Sequence, residues 1–451
     1  MTEGKNGSLT VTLALTSMMF LIFCLVLTEG VRMYFAKWEA KQAMEMAGFS
    51  VLSEYQQELF EHYGLFFLDL DYEQGHEMPG VLEGRLKEYF QKNAEEAILT
   101  EIRADRFQRA SDGDGAAFLL QAAEQMKRES GYQIFETLFE KAGALVRQSQ
   151  ELPEDLWEKE ESAAGILGEY KDEEGKPLFQ ISLPRISFPS VDALTEAVFG
   201  SEEGLSEKEI SPGERLLDRE LCEGSGKESG VRVVEVQMFH AYLLRHFGHY
   251  GIKNPDIWKD RLEYQIEYVI FGKEGDRENL EETMWRIFLL RAAGNYLFFH
   301  QDATRFGKAE AEAAAIAGIT GNVALVSLVR EILLIAQAIE EGIQETKAVF
   351  AGEKVPLYED GVFQGIQMGY EEYLYLFLCT TGKREKTMRS MDVVELEVRE
   401  KSGYEAFRMD HCIDAFELHG VWQLNSLFLE IPLIEGGIYE NTIDKKVCYE
   451  K

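Results

Sequence analysis

The feature that most limits how this 451-residue chain can fold is an uncharged run near its start, Leu9 to Thr28. At 1.5 Å rise per residue, a helix over this run is about 30 Å long, the hydrocarbon thickness of a bilayer. We therefore predict a single transmembrane anchor over residues 9–28, preceded by a short leader over residues 1–8. The side chains predicted to contact lipid include Leu9, Leu13, Phe20, Phe23 and Leu27.

Two alternatives compete with the anchor. A cleaved secretory signal is less favoured because the run is longer than a typical signal core, and no small-x-small pattern follows it before Glu29, Arg32 and Lys37. A buried core helix is less favoured because such helices seldom lack charge over so many positions. Arg32, Lys37 and Lys41 would by themselves favour the reverse orientation. Large C-terminal domains cross the membrane largely regardless of such charges, so we predict a cytoplasmic N-terminus and an extracytoplasmic bulk.

The composition indicates a packed, strongly acidic domain. Lys and Arg total 46 against 80 Asp and Glu, a formal charge of -34, and 45% of residues are hydrophobic. Such a surface repels phosphate backbones and anionic lipid headgroups, so nucleic-acid binding is not expected. Membrane lipid is a predicted partner because of the anchor over residues 9–28. The fold class that the patterns favour is α-rich α+β.

Apolar residues at helical spacing continue beyond the anchor and predict an amphipathic stalk helix over residues 29–66. Two helices broken near Gly48 are the alternative. The apolar positions are Val31, Phe35, Trp38, Met44, Leu52, Tyr55, Leu59 and Tyr63.

The rest of the chain divides by pattern into three regions. The pattern of residues 67–200 predicts a mixed α/β region. It contains a short strand or extended segment over 98–107, a loop over 111–115, a helix over 116–146 and an extended segment over 178–188. Residues 201–230, rich in Glu, Ser and Gly, predict an acidic linker or an exposed excursion. Residues 231–451 predict a helical domain that ends in antiparallel strands over 405–433.

Within the helical domain we predict helices over 239–250, 261–271, 277–299 and 309–350, with Asp276 as an N-cap. The apolar stretch 323–339 would suit a second membrane span. Arg330 and Glu331 lie at its centre, where each charge costs about 2.5–3.5 kcal/mol, so a buried core helix is preferred.

The residues that could carry chemistry form no catalytic motif. His240, His246 and His249 are close in sequence, but only the last two share a helix face. The stretch from Asp69 to Gly75 resembles the start of a calcium loop but lacks its closing acid, so a solvated turn is preferred. We predict no enzyme activity, no cofactor and no resident metal. The five cysteines, Cys24, Cys222, Cys379, Cys412 and Cys448, include no Cys-x-x-Cys pair, which leaves free thiols or one or two outer disulfides.

The leader Gly7-Ser8-Leu9-Thr10-Val11, with the apolar run and its amphipathic continuation, resembles the N-terminus of Tad-locus pseudopilins of the TadE and TadG type. The resemblance implies insertion in the membrane as pilins insert, possible processing between Gly7 and Ser8, and pilin-like or Tad assembly proteins as partners. Thr12 stands where those proteins carry an acidic residue.

More of the chain is similar to an uncharacterised family of large membrane-anchored proteins, encoded in Gram-positive anaerobes near Tad-like pilus genes. This similarity implies a structural or assembly role outside the cytoplasm and no catalytic residue. A solitary surface binding module and an anchored envelope hydrolase are the alternatives. The similar segments are residues 54–66, 262–268, 272–273, 276–280, 288–291, 354–357, 370–378 and 389–392.

Overall fold

The computed structural model describes residues 5–72, 74, 77–130, 188–200, 204–226, 230–252, 262–318, 321–356, 367–427 and 438–449. The protein is α-rich α+β, as the sequence predicts, with antiparallel strands near the C-terminus. Residues 178–187 of the predicted extended segment and the end of the predicted helix 116–146 lie outside the described residues.

The anchor and most of the predicted stalk form one helix, α1 (Lys5–Leu52), which passes through Gly48 without a break. In the described part of the chain, α1 is the one helix long and apolar enough to cross a membrane. The stalk ends at Leu52 rather than at residue 66. The chain turns there and continues as α2 (Gln57–Tyr63), which Gly64 ends in the left-handed conformation at φ 66°. The turn is closed by the Gln56 amide, which donates to the Phe67 carbonyl at 2.8 Å.

The chain forms two compact units, and neither follows the divisions at residues 200 and 230 that the composition suggests. We call them the sheet unit (Met1–Ala122, Glu220–Val231 and Val394–Lys451) and the helical unit (Ala123–Arg219 and Arg232–Val393). The sheet unit is discontinuous because its C-terminal strands pair with a strand from the first quarter of the chain.

The sheet unit contains an antiparallel sheet of four strands, β1 (Leu68–Asp69), β2 (Ile98–Arg109), β5 (Cys412–Asn425) and β6 (Ile438–Cys448). β2 pairs with one edge of β5. The other edge pairs with β1 at Cys412 and Ile413 and with β6 from Ala415 to Asn425. The predicted strand at 98–107 is confirmed, and so are antiparallel strands near the C-terminus. β5 lies within the predicted range 405–433, whereas β6 begins after it, at Ile438. Burial alternates along the later part of β5, which is the pattern of a strand with one solvent-exposed face.

Helices α1 and α3 (Pro79–Asn93) pack on this sheet. The buried stripe of α1 is rich in alanine: Ala36, Ala40, Ala43, Met44, Ala47 and Val51. Small side chains let the helix approach the strands closely, and a Cβ added at Gly48 would lie 2.6 Å from a Val447 methyl. The predicted stripe through Val31, Phe35 and Trp38 is wrong in this part of the helix, since all three side chains are exposed. The alanine face, rather than the bulkier one, fits against the sheet.

The predicted loop at 111–115 forms the start of α4 (Asp112–Ser130), where Gly113, Asp114 and Gly115 all have positive φ. Asp114 tolerates this conformation better than most residues because its short polar side chain can bond locally.

The helical unit contains α5 (Val191–Phe199), α6 (Val233–His246), α7 (Gln265–Phe271), α8 (Asp276–Gln301), α9 (Ala303–Ala317), α10 (Val323–Phe350), α11 (Tyr370–Thr380) and the greater part of α12 (Lys383–Ser402). A two-stranded sheet joins β3 (Val355–Pro356) to β4 (Gln367–Met368). The helix predicted over 309–350 is two helices, with Asn322 capping α10 through its side chain. Val329, Leu334 and Ala338 on α10 are buried, so the 323–339 stretch is a core helix.

The glutamate-rich segment 204–226 is packed rather than a free linker. Ile210 and Leu216 are buried, and the Ile210 amide donates to the Glu274 carbonyl at 2.9 Å. Asp276 is not the N-cap of α8, which is Gly275. The Asp276 carboxylate instead accepts from the Ser206 hydroxyl at 2.6 Å and from the backbone amide of Glu263 at 2.7 Å. It thereby holds two loops together.

Candidate functional site

Over residues 9–28, α1 presents apolar side chains on every face. Leu13 and Phe20 are 69% and 68% exposed, and Leu9, Phe23 and Leu27 are exposed as well. The hydroxyls in this stretch bond back to the helix: Ser17 donates to the Leu13 carbonyl at 2.8 Å. An apolar, internally satisfied helix is what the interior of a bilayer requires. Exposed Tyr34 and Trp38 follow, the residue types that favour the membrane–water interface.

A charged cluster fixes α1 to the sheet unit just past the uncharged run. Glu29 is 1% exposed, and one of its oxygens accepts from Arg32 at 3.4 Å and from the Leu427 amide at 3.3 Å. Arg32 also donates to Glu96 at 2.7 Å and to the Asn425 carbonyl at 2.8 Å. The residues after the span are therefore part of the folded unit, and the sequence pattern gave no sign of these partners.

A second polar cluster lies at the start of the sheet, around Arg109. Its guanidinium contacts the Glu77 carboxylate and donates to the Asp410 carbonyl at 3.0 Å. Burial opposes the charged guanidinium, but the Glu77 ion pair outweighs it and raises the pKa of Arg109. Asp112 accepts from the Arg109 amide at 2.9 Å and from the Gly224 amide at 3.0 Å, which holds the segment 220–226 beside the strands.

Cys222 and His411 border this cluster. The Cys222 amide donates to Asp410 at 3.1 Å, and burial, followed by the charges of Asp410 and Glu77, raises the pKa of the Cys222 thiol. His411 Nδ1 lies 2.7 Å from Asp71 Oδ1, and Asp71 is completely buried. The prediction of a solvated turn at 69–75 is therefore wrong for Asp69 and Asp71: both are buried because the chain folds β1 against β5.

An open cleft of about 660 Å³ lies on the sheet unit between α3 and the strands. Its lining includes Lys87, Thr100, Arg103, His419, Thr442 and Asp444. His419 bonds Asp444 through Nδ1 at 2.7 Å and Asp105 through Nε2 at 3.2 Å. These carboxylates raise the pKa of His419, the Asp444 hydrogen bond most. Both ring nitrogens of His419 already contact carboxylates. The side chains of His419, Asp105 and Glu417 therefore form an ion-pair cluster.

The structure does not bring His240, His246 and His249 together. His240 is buried with Nε2 at 2.7 Å from Lys386 Nζ, and burial lowers the pKa of that lysine to about 8. His246 Nε2 lies 3.2 Å from Glu129. His249 is buried, which lowers its pKa to about 4, and its Nδ1 accepts from the Gly251 amide. These are three separate core or surface histidines.

All five cysteines lie in described residues and are free thiols.

The helical unit buries a carboxylate, Glu267, whose environment makes stability depend on pH. Oε1 accepts from the Tyr370 hydroxyl at 2.5 Å and from the Tyr250 amide at 2.9 Å, while Oε2 has no hydrogen-bond partner. Burial raises the pKa of Glu267 to about 7.

We expect Glu267→Gln to remove part of the pH dependence of unfolding. The folded state holds the Glu267 proton more tightly than the unfolded chain, so its contribution is fully present below the ordinary glutamate pKa and is lost as pH rises toward 7. The unfolding temperature of the wild type should therefore fall, relative to that of Glu267→Gln, between about pH 4.5 and 7.5. Thermal melts across this range measure the difference, with Glu371→Gln, an exposed acid on α11, as the control. A constant difference across the window would contradict the assignment.

The fold and the N-terminal helix together define an α-rich α+β protein that carries one helix suited to spanning a membrane. The chain belongs to the Family of unknown function (DUF5702), whose model matches residues 190–362 and 359–424 and so covers just over half of the sequence. No curated protein and no solved structure matches the chain. The match begins after the anchor, so the likeness of the N-terminus to Tad pseudopilins stays a prediction.

Proposed function

We propose that the protein is a membrane-anchored structural or assembly component that presents its acidic units outside the cytoplasm and works with a Tad-type pilus or secretion machine. The observation that carries the proposal is the continuity of α1: one helix is apolar on every face over residues 9–28 and then forms the core of the sheet unit. Such a helix joins a lipid-embedded segment to a folded unit without a flexible joint.

The side of the membrane follows from the size of the folded part. The helical unit and the rest of the sheet unit come after residue 28 in the sequence, and a large C-terminal region crosses largely regardless of flanking Lys and Arg. Protease added to intact cells should digest the region after residue 52. Digestion only after the cells are opened would place that region inside.

Assembly would use the small and hydroxyl residues of the anchor, Ala14, Thr16 and Ser17, which permit close helix packing in lipid. Ala14 is exposed in α1, so a neighbouring helix can reach it. The resemblance of the leader to TadE and TadG pseudopilins supports other pilin-like helices as the neighbours and Gly7-Ser8 as the processing position.

We expect Ala14→Phe to weaken complexes formed through the anchor, because the added ring separates the helices. Phe23→Trp, nine residues on and therefore on the opposite side of the helix, is the control and should leave them intact. Native gels of detergent-solubilised membranes, with a pull-down probed for pilus proteins, measure both variants. Unchanged complexes in Ala14→Phe, or a pull-down without pilus proteins, would count against the assembly role.

A solitary binding module is the second candidate, and the cleft beside His419 favours it. Its lining mixes cations such as Lys87 and Arg103 with acids and hydroxyls, which suits a polar ligand. This role requires no partner for the anchor, so complexes that are insensitive to Ala14→Phe would point toward it.

A further inference from the structure

Three side chains that are far apart in sequence bring metal-ligating atoms together in the sheet unit. A carboxylate oxygen of Glu77, Sγ of Cys222 and a ring nitrogen of His411 all lie within 4.8 Å of one another. Glu77 precedes α3, Cys222 lies in the segment 220–226 and His411 immediately precedes β5. A motif search cannot find this set, because no two of its members are near neighbours in the chain.

The orientation of His411 is the second observation. Nδ1 lies 2.7 Å from Asp71 Oδ1, and an ionised carboxylate can only accept, so Nδ1 carries the proton. Nε2 is then left with a lone pair. A histidine that binds a metal through one nitrogen and donates the other N–H to a carboxylate is the usual arrangement in protein metal sites. Asp71 is itself buried, and its carboxylate accepts a hydrogen bond from the Tyr404 hydroxyl at 3.4 Å. This contact fixes the position of the carboxylate.

The surrounding charge is suited to a divalent cation. Asp71, Asp410 and Asp112 place three carboxylates around the ligands, and Glu77, itself a ligand, supplies a fourth. The guanidiniums of Arg109 and Arg408 offset two of these charges; Arg408 binds Asp410 at 2.6 Å. The negative charge that these two guanidiniums leave uncompensated at this partly buried cluster would be neutralised by one divalent ion.

We propose that Glu77, Cys222 and His411 bind a zinc ion. A thiolate and an imidazole select zinc over calcium or magnesium, which prefer oxygen ligands alone. Binding requires the Cys222 thiol to release its proton to solvent. The ligand atoms must approach to about 3.3–3.8 Å of one another, the spacing that zinc bond lengths impose in a tetrahedron. Three protein ligands leave the fourth position to water. The ion links residues 77, 222 and 411, and thereby fastens the segment 220–226 to the sheet.

The test uses the full-length protein in detergent, stripped with a chelator and titrated with Co²⁺ as a spectroscopic stand-in for zinc. We expect one Co²⁺ per chain, a thiolate-to-cobalt charge-transfer band in the near ultraviolet, and displacement of Co²⁺ by Zn²⁺. Cys222→Ser should abolish the band. Cys448→Ser, which changes an exposed thiol away from the cluster, should retain it.

Asp71→Asn should weaken zinc binding about 10- to 100-fold while leaving the charge-transfer band in place, because Asp71 acts through His411 and not on the metal. Circular dichroism of each variant checks that it is folded. If Cys222→Ser unfolds, the milder substitution Glu77→Gln, at the half-buried ligand, is tested in its place. Zinc should also raise the melting temperature of the wild type but not that of Cys222→Ser. The proposal is overturned if the wild type gives no charge-transfer band, or if Cys222→Ser keeps it.

Discussion

Replacing Phe20 and Phe23 together with arginine is expected to move the protein out of the membrane fraction. Both side chains lie in the uncharged part of α1 and are exposed, so the described residues do not bury them and a bilayer would supply apolar surroundings. Each arginine near the centre of a span costs about 2.5–3.5 kcal/mol, and the pair about 5–7 kcal/mol, besides the loss of two aromatic rings. Carbonate extraction of membranes, followed by immunoblotting of pellet and supernatant, measures the shift.

The matched control is Val233→Arg with Val323→Arg. These valines are 71% and 79% exposed and lie at the first positions of α6 and α10 in the helical unit. Arginine there should leave the protein in the pellet, with at most a small loss of stability from the helix dipole. If the Phe20 and Phe23 double variant stays in the carbonate-washed pellet like this control, the anchor assignment is wrong.

Truncating the Trp422 side chain is expected to destabilise the sheet unit. Trp422 lies on β5, is completely buried, and packs against Tyr439 of β6 at 5.7 Å between ring centroids. Trp422→Ala is expected to cost about 3–5 kcal/mol through lost contacts and a cavity under α1. Amide hydrogen exchange in β2 and β5 should then accelerate by about two to four powers of ten, since 1.4 kcal/mol is a tenfold change.

Trp38→Ala is the control for this prediction. Trp38 is of the same residue type but is 59% exposed on α1, so its removal leaves the core intact. Exchange in the helical unit should change little in either variant, because that unit has its own core. Equal exchange rates for β5 in Trp422→Ala and in Trp38→Ala would contradict the account of the sheet core.

The apolar N-terminal helix could be predicted because its signal is local: twenty uncharged residues need no knowledge of the rest of the chain. The strands at 98–109 and 412–425 were likewise predictable from alternation of polar and apolar residues. The end of α1 was not. Apolar spacing continues through Leu59 and Tyr63 because α2 is also helical and buried, so periodicity cannot reveal the turn that separates the two helices.

The polar clusters could not have been predicted from the sequence. His411 and Asp71 are 340 positions apart, and Arg32 and the Asn425 carbonyl are 393 apart. In a chain with 80 acids, nothing local distinguishes Asp71 or Glu29 from acids that stay in water. The histidines that are close in sequence, by contrast, have separate partners.

The membrane-suited helix, the α-rich class and the positions of most elements can be read from the amino-acid sequence, since they depend on hydrophobicity and period over short windows. The pairing of β5 with β2, the contact of the α1 alanines rather than its aromatics with the sheet, and the meeting of Glu77, Cys222 and His411 are visible only in the folded protein. The physical reason is that pairing between distant segments depends on the fit and burial of whole surfaces, which no short stretch of residues specifies.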